Sequence, residues 1–327
     1  MKKYKICKIL LVILAIFLCV AFYELLGICV AYKKQPEVSN TTKKETKNGS
    51  WNECSENTER AVIIEKNPEA LLQRVRLIKN AKKEIILSTF AFQSDESGKL
   101  ILGALHDAAD RGVHIRLLVD GMESWIDMEG NPYFYGLSSH ENVEIKLYNK
   151  ANPLKPWKMM GRMHDKYLIA DGKRYILGGR NTYNYFLGDF PGHKNYDRDV
   201  LVVCDEPEKE NSVNQLLEYF ETIWEQEDSG YFHDNKKLAN RKSVKNAVLE
   251  LQNGYQKYFE ENKERICDTD YTDETFETEK IALVSNPIHT GSKEPVVWYQ
   301  LGELMKNAKN RVKIHTPYII CNDMMYN

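Results

Sequence analysis

The first 60 residues fall into three segments of contrasting polarity. Residues 1–8 carry four lysines, residues 9–32 are almost wholly apolar, and residues 33–60 are rich in Lys, Thr, Asn, Ser and Glu. An apolar run of roughly 20 residues is long enough to cross a bilayer as a helix. The pattern therefore predicts a cytoplasmic basic N-terminus, a transmembrane signal anchor over 9–32 and a flexible polar stalk over 33–60. A cleaved signal peptide is the alternative, although no clear small-x-small cleavage site follows the apolar run.

Beyond residue 60, apolar positions recur with helical and strand spacings in turn. Asn67-Pro68-Glu69 predicts a helix start, with Asn as cap and Pro in the first turn. A strand–helix–strand order between residues 85 and 119 implies a parallel pair with a right-handed crossover. The pattern predicts an α/β lobe over 61–235 and a helical connector over 236–279. Strands are expected at 85–92, 113–119, 143–148, 174–177 and 200–203, and amphipathic helices at 99–111, 213–224 and 244–259.

A short internal repeat links the two ends of the folded region. The segment 77–85 aligns with 304–312, and the match extends through Thr89 and Thr316. This pattern predicts the start of a second, truncated lobe over 280–327, in which the equivalent of residue 164 would fall near ~391. Chance similarity between two lysine-rich helix ends is the alternative.

Composition narrows the possible chemistry. The chain has 327 residues, 43% of them hydrophobic, and a formal charge of -2. This balance does not favour nucleic acid as a partner, so any basic surface must be local. None of the seven cysteines forms a CxxC pair or a Cys/His spacing suited to zinc, and we expect no metal and no cofactor. A disulfide among the cysteines beyond the apolar run remains open.

The most informative motif is the segment that begins at His164. His164 and Lys166 head an apolar run, and two residues apart in a strand means the same face. Asp171-Gly172 then predicts a tight turn, and the returning strand ends at Gly178-Gly179 and Asn181. A nucleophile, a cation and an amide donor thus converge where glycine backbone allows close approach of a ligand. The pattern predicts a site for a phosphate ester.

His164-x-Lys166-x4-Asp171, followed by Gly178-Gly179-x-Asn181, resembles the HKD motif of the phospholipase D superfamily. Within it, the segments around Arg162 and Asp197-x-Asp199 look most like those of bacterial cardiolipin synthases. The resemblance implies an α/β fold with a mixed sheet flanked by helices. It also implies two similar lobes, each of which contributes one motif to a shared site. This sequence carries one complete motif, so we expect either a truncated protein or a homodimer that borrows the second motif.

The resemblance also implies roles for single residues. His164 would attack phosphorus, while Lys166, Gly179 and Asn181 would bind the phosphate oxygens. Gly179 stands where many members have Ser. Asp199 matches the acidic residue that orients a histidine. Asp171 belongs to the motif and is counted with His164 and Lys166 as catalytic, although its place in an Asp-Gly turn favours a structural role. Asp197 is equally consistent with a solvated loop.

Two further groups of side chains have alternative interpretations. Cations mixed with large apolar groups before the motif predict a surface that meets anionic lipid, or else an ordinary loop: Lys155, Trp157, Lys158 and Arg162. Aromatic residues after the motif line the pocket or, as we favour, pack the lobe: Tyr183, Tyr185 and Phe186.

These observations predict a membrane-anchored phosphatidyltransferase of the cardiolipin synthase type. It would use phosphatidylglycerol, with its catalytic domain on the extracytoplasmic side of the cell membrane. An exported phosphodiesterase, lipase or nuclease with water as acceptor is one alternative, and an inactive truncated membrane protein is another.

Overall fold

The computed structural model of the chain describes residues 2–48, 59–204, 206, 211–233 and 235–314. The chain divides into two compact units. The first comprises Met1–Gln35, Cys54–Leu283 and Ile288–Ser292, and the second comprises Pro36–Glu53, Val284–Pro287 and Lys293–Asn327. The second copy of the repeat falls in the second unit, and its Thr316 lies outside the described residues.

The described residues of the first unit form a nine-stranded mixed sheet with helices on both faces. Its strands are β1 Glu59–Ile64, β2 Glu84–Thr89, β3 His114–Asp120, β4 Val143–Tyr148, β5 Tyr167–Ala170, β6 Arg174–Gly178, β7 Asp199–Cys204, β8 Ser229–Tyr231 and β9 Phe276–Glu277. They lie in the order β8-β4-β3-β2-β5-β6-β7-β1-β9. β2, β3 and β4 are parallel and the other pairs are antiparallel. The expected α/β class with a mixed, helix-flanked sheet is confirmed.

The helices are, in chain order, α1 Lys2–Ala31, α2 Asn40–Asn48, α3 Asn67–Asn80, α4 Glu96–Asp110, α5 Glu123–Asp127, α6 Pro132–Ser138, α7 Ser212–Trp224, α8 Lys242–Glu261, α9 Lys263–Cys267 and α10 Val296–Lys306. Single 3-10 turns lie at Pro156–Lys158 and Lys236–Asn240. One face of the sheet packs on α3, α4, α6 and α8, and the other packs on α7. Since both faces are covered, the central strands are apolar along most of their length.

Helix α1 contains the one described segment that is long and apolar enough to cross a membrane, the 28 residues Tyr4–Ala31. Most of its large side chains are exposed. In the second unit, α2 lies within the expected stalk, so that part of residues 33–60 is helical rather than extended chain. Glu294 explains part of this order, because it accepts hydrogen bonds from Ser39 N and Thr42 Oγ1 at 2.8 and 2.6 Å.

Beyond residue 60, three element boundaries differ from the prediction by three residues, whereas the others differ by at most two. The first predicted strand ends at Thr89 instead of Phe92. The Thr89 hydroxyl donates a hydrogen bond to the Ala91 carbonyl, two residues further along the chain, at 3.0 Å. Helix α4 begins at Glu96 rather than at 99, because the Asp95 side chain caps it by accepting from Gly98 N. His164 precedes strand β5 and is not part of it.

The expected connector also belongs to the first unit rather than standing apart. The buried face of α8 packs against α4 and α6, and β9 adds to the sheet beside β1. Gly103 of α4 permits this close approach, because a Cβ there would lie 2.7 Å from the Leu251 carbonyl oxygen of α8. Residues 236–279 therefore complete the core of the lobe.

Candidate active site at the carboxyl edge of the sheet

The candidate site lies at the edge of the sheet where the parallel strands β2, β3 and β4 end. Ser88 of β2 pairs with Tyr167 of β5, and Gly178 of β6 pairs with Asp199 of β7. The start of β5, the end of β6 and the start of β7 therefore lie at this same edge. Carboxyl edges of parallel strands are common places for ligand sites, because loops from several strands meet there.

His164 and Lys166 lie in the extended segment that leads into β5. The Gly178 amide donates to the Lys166 carbonyl at 3.1 Å, and the Lys166 ammonium donates to the His164 carbonyl at 2.6 Å. Phe90, just after β2, contacts both side chains: its ring centroid lies 4.7 Å from the His164 ring and 5.4 Å from Lys166 Nζ. His164 is exposed, whereas Lys166 is only 6% exposed. The structure thus brings together the two groups that the motif predicts, with the imidazole open to a ligand.

Burial sets the protonation of both groups. It lowers the pKa of Lys166 to about 8, and the nearby carboxylates of Asp165 and Asp197 only partly offset this effect. The exposed His164 ring is still partly desolvated, which lowers its pKa, and the Lys166 ammonium lowers this pKa further. A neutral imidazole has a free lone pair and can act as a nucleophile at neutral pH. The ammonium beside it can compensate the charge of a phosphate group.

Asn181 reaches the same edge from the end of β6. Its Oδ1 accepts a hydrogen bond from the Ala91 amide at 3.2 Å, and the Thr182 amide donates to the Ala91 carbonyl at 3.1 Å. These bonds join the segment after β6 to the segment after β2, which carries Phe90. Because Oδ1 is engaged, the NH2 end of the Asn181 amide is oriented as a donor.

Gly178 and Gly179 are packed against two aspartates. A Cβ at Gly178 would lie 2.0 Å from Asp199 Oδ1, and a Cβ at Gly179 would lie 2.1 Å from Asp197 Oδ2. Only glycine fits this arrangement without displacement of the carboxylates. Asp197 in turn acts electrostatically on Lys166, so it lies beside the site and not in a remote solvated loop.

Asp199 lies in a buried ion-pair cluster. Its Oδ2 is 2.9 Å from Arg74 Nη1 and 3.2 Å from Arg180 Nη1, and none of the three side chains is more than 5% exposed. Arg180 also donates to the carbonyls of Ile64 and Glu65, at the end of β1 and just after it. The contacts recorded for the described residues do not join Asp199 to His164. The expected role of Asp199 in orienting a histidine remains a prediction. Its ion pairs with Arg74 and Arg180 show directly that it joins α3 to the segment after β6.

Asp120 is a site-building residue that the sequence analysis missed. It ends β3, is fully buried, and accepts hydrogen bonds from the Met163 amide at 3.0 Å and from Arg162 Nη1 at 3.1 Å. Arg162 also donates to the Asn149 carbonyl after β4. These bonds fix the two residues that precede His164. The sequence signal that could have revealed Asp120 is its place as an acidic residue at the end of an apolar, parallel strand.

Asp171 lies at the opposite end of β5 from His164, about 20 Å away for seven extended residues. It adopts a left-handed conformation with φ 55°, and its carboxylate accepts from the amides of Lys82, Lys83 and Glu84. The structure therefore does not bring Asp171 to the site. Its position fits the structural role of joining the turn to the start of β2.

The residues expected at a lipid surface separate into two groups. Lys155 and Trp157 are exposed. Lys158 is held by Asp228, with Nζ 2.7 Å from Oδ1. Arg162 is turned inward to Asp120 and is only 16% exposed, because it anchors the chain before His164.

The aromatic residues after the motif form a packed group. The rings of Tyr183 and Tyr185 meet the ring of Phe186 edge-on, at 5.2 and 4.8 Å. Phe186 belongs to the larger core cluster and both tyrosines pack against it. Their contacts fit the packing role favoured above.

Among the described residues, no group of three or more His, Cys, Asp or Glu side chains is arranged to hold a metal ion. Among the described cysteines, four are exposed free thiols, Cys7, Cys19, Cys29 and Cys267, and Cys204 is buried in the first unit. The described residues bring imidazole, ammonium, amide and carboxylate groups to the candidate site.

Comparison with known proteins adds a family context. A profile of the family described as "Cardiolipin synthase, PLD-like domain" matches residues 74–224. Cardiolipin synthase C of Escherichia coli is 29% identical over 171 residues, which cover 48% of this chain and 34% of that protein. An uncharacterized protein of Helicobacter pylori strain J99 is 30% identical over 212 residues, 60% of this chain and 39% of that protein. The chain therefore spans less than half the length of both relatives.

Among solved structures, NucT from Helicobacter pylori is similar over 53% of this chain and 99% of its own, at 18% identity and a TM-score of 0.42. The region that matches the family profile begins in α3 and ends with α7. It contains the candidate site except the end of β1, where Arg180 contacts Ile64 and Glu65.

Proposed function

The chain belongs to the phospholipase D superfamily, and from this premise we propose that it is a membrane-anchored phosphatidyltransferase of the cardiolipin synthase type. The observation that supports this proposal most is the grouping of His164 and Lys166 around Phe90. In this grouping an imidazole lies beside an ammonium group at an accessible edge of the sheet, which suits the proposed nucleophile and its cation. Cardiolipin synthase C among the relatives supports the lipid substrate.

In the proposed reaction, a His164 nitrogen attacks the phosphorus of phosphatidylglycerol. A nitrogen–phosphorus bond forms, the bond to the glycerol oxygen breaks, and glycerol leaves with a proton from a general acid. The hydroxyl of a second phosphatidylglycerol then gives its proton to the same group, which now acts as a general base, and its oxygen attacks phosphorus, so that the nitrogen–phosphorus bond breaks and the imidazole is regenerated. Lys166 and the NH2 group of Asn181 stabilise the phosphate oxygens, at a place where the Gly179 backbone allows close approach.

The general acid is proposed to be a second imidazole. The sequence contains one H-x-K motif, so a homodimer is one way to supply it. Under this proposal, turnover per chain rises with protein concentration over the range in which dimers form. A monomer, verified by light scattering, should show little or no turnover, and rapid monomeric turnover would contradict the need for a second motif.

We further propose that α1 anchors the chain in the cell membrane as a single span, with the sheet on the extracytoplasmic side. The length and exposure of Tyr4–Ala31 support a span. The lysines that precede it support the orientation. The anchor keeps the site beside its lipid substrate.

The test is an assay of the full chain in mixed micelles with labelled phosphatidylglycerol, and separately with single-stranded DNA. We expect cardiolipin and glycerol as products, and no turnover in His164→Ala with an unchanged melting temperature, since His164 is exposed. The matched control is His114→Ala, which lies at the amino end of β3 on the opposite edge of the sheet. Phosphatidate as the only lipid product would instead assign hydrolysis. DNA cleavage without any lipid product would overturn the proposal in favour of a nuclease.

A further inference from the structure

A cavity of about 190 Å³ lies beside the segment that leads to His164. Its walls come from residues 149–152 after β4, residues 155–162 before His164, and residues 227–230 at the start of β8. Arg162 lines the cavity and is two residues from His164, so the cavity adjoins the catalytic segment.

The cavity has an excess of positive charge. Four cations line it, Lys150, Lys155, Lys158 and Arg162, against the two acids Glu227 and Asp228. Ion pairs with carboxylates engage two of the cations, at Lys158 and Arg162. The Lys150 ammonium donates only to a carbonyl oxygen, that of Tyr231 at 2.6 Å, and Lys155 is exposed with no ion pair among the described residues. Lys150 interacts electrostatically with the Glu129 carboxylate but, like Lys155, forms no direct ion pair among the described residues, so the lining keeps an excess of positive charge and an anion is the favoured occupant.

The loop of residues 149–162, which lines the cavity, is in contact with the proposed membrane-spanning helix α1. Tyr23 of α1 donates through its hydroxyl to the Leu154 carbonyl at 3.0 Å, and Gly27 packs on Pro156, where a Cβ would lie 2.5 Å from Pro156 Cγ. These two positions precede Ala31, the end of α1, by about 6 to 12 Å at 1.5 Å per residue. With α1 as a membrane span, this loop would lie near the level where a bilayer passes from hydrocarbon to head groups.

The outer surface of the loop suits that level. Leu154, Trp157 and Met160 are 76%, 45% and 58% exposed. Exposed apolar side chains beside cations are typical of surfaces that enter the interfacial region of a membrane, where Trp is enriched. In a membrane these apolar side chains would face lipid, next to a cavity that is lined by ammonium groups.

We propose that this cavity binds the phosphate-containing head group of a second anionic phospholipid and holds it, as acceptor, next to the catalytic segment. The inference rests on the proposed membrane anchorage and lipid chemistry, and adds a binding site for the acceptor. Lys150 and Lys155 bind the head-group phosphate, while Leu154 and Trp157 contact the upper part of the acyl chains.

The test uses the full chain carrying His164→Ala, in lipid nanodiscs that contain a trace of phosphatidylglycerol with a photoreactive group near its glycerol. Mass spectrometry locates the labelled peptides, so the result does not depend on turnover. We expect label in the peptide that spans 149–162, with competition by unlabelled phosphatidylglycerol but not by phosphatidylcholine or soluble glycerol 3-phosphate. Labelling should fall at least about tenfold in Lys150→Ala/Lys155→Ala, which removes two cations from the cavity.

The matched control is Lys242→Ala/Lys257→Ala, which removes two exposed lysines from α8. Equal labelling in the cavity variant and this control would overturn the proposal. Competition by glycerol 3-phosphate as strong as that by the lipid would overturn it too, because the site would then bind free phosphate esters. If the cavity is labelled as expected but the unmodified chain does not turn over, the proposed reaction fails and the lipid site stands.

Discussion

The buried ammonium of Lys166 should make the protein less stable than it would be without that charge. Lys166 is 6% exposed, and burial lowers its pKa from 10.5 to about 8. Each tenfold change in proton affinity is worth about 1.4 kcal/mol, so the charged form costs about 3 kcal/mol in the folded protein at neutral pH. Lys166→Met removes this cost but also loses the hydrogen bond to the His164 carbonyl, worth about 1 kcal/mol.

We therefore expect Lys166→Met to raise the free energy of unfolding by about 2 kcal/mol at pH 7. For a lobe of this size the melting temperature should rise by about 4–8 °C. The cost is fully present below pH 8 and is lost as pH rises from about 8 towards 10.5, because the wild-type amine then becomes neutral in the folded protein. The advantage of the variant should shrink over the same interval.

The measurement is thermal unfolding of the full chain in a neutral detergent, followed by circular dichroism between pH 7 and 10. Lys257→Met is the control, since Lys257 is exposed on α8 and its loss should change stability by less than about 0.5 kcal/mol. A variant that melts below the wild type at pH 7, or an advantage independent of pH, would refute the reasoning. In that case Lys166 would be a structural cation and not one retained for ligand binding at a cost in stability.

The remaining predictions concern the residues around this ammonium. Asp199→Asn leaves two buried guanidinium groups without their carboxylate and should destabilise the chain by about 3–5 kcal/mol. Asp197→Asn, at a half-buried position, should destabilise it clearly less. Equal melting temperatures for the two variants would contradict a stabilising role of the Asp199 ion pairs. Gly179→Ser should displace Asp197 and cost about 1–3 kcal/mol, and a second change, Asp197→Ala, should restore part of the loss in a thermal melt. The pH dependence of kcat/KM should be bell-shaped. It should fall below the lowered pKa of His164, where the nucleophile is protonated, and above about 8, where Lys166 loses its charge; a profile that is flat from pH 5 to 10 would exclude both assignments.

Sequence periodicity alone determined much of the fold. The apolar spacing predicted α3, α7 and α8 and the strands β3, β4 and β7 close to their observed limits, because these elements bury a regular face and local spacing records that face. The Asp-Gly turn and the Gly-Gly-Arg-Asn segment likewise predicted the hairpin β5–β6, and they indicated one end of it as the candidate site.

Long-range contacts decided the rest of the site. Phe90 and Asp120 follow or end strands far from His164 in the chain, and only the register of the sheet brings them to it. Asp171 shares the motif with His164 but lies at the other end of β5, because a strand separates its ends by its own length.

The contrast between Asp199 and Lys166 has the same origin. From sequence, both are polar residues at the ends of apolar strands. The structure surrounds Asp199 with two guanidinium groups and leaves Lys166 beside a phenyl ring and an exposed imidazole. The sequence thus determined which residue types are available and which strand ends they occupy, whereas the tertiary structure alone decided which charges are paired, since pairing depends on distances across strands that are remote in sequence.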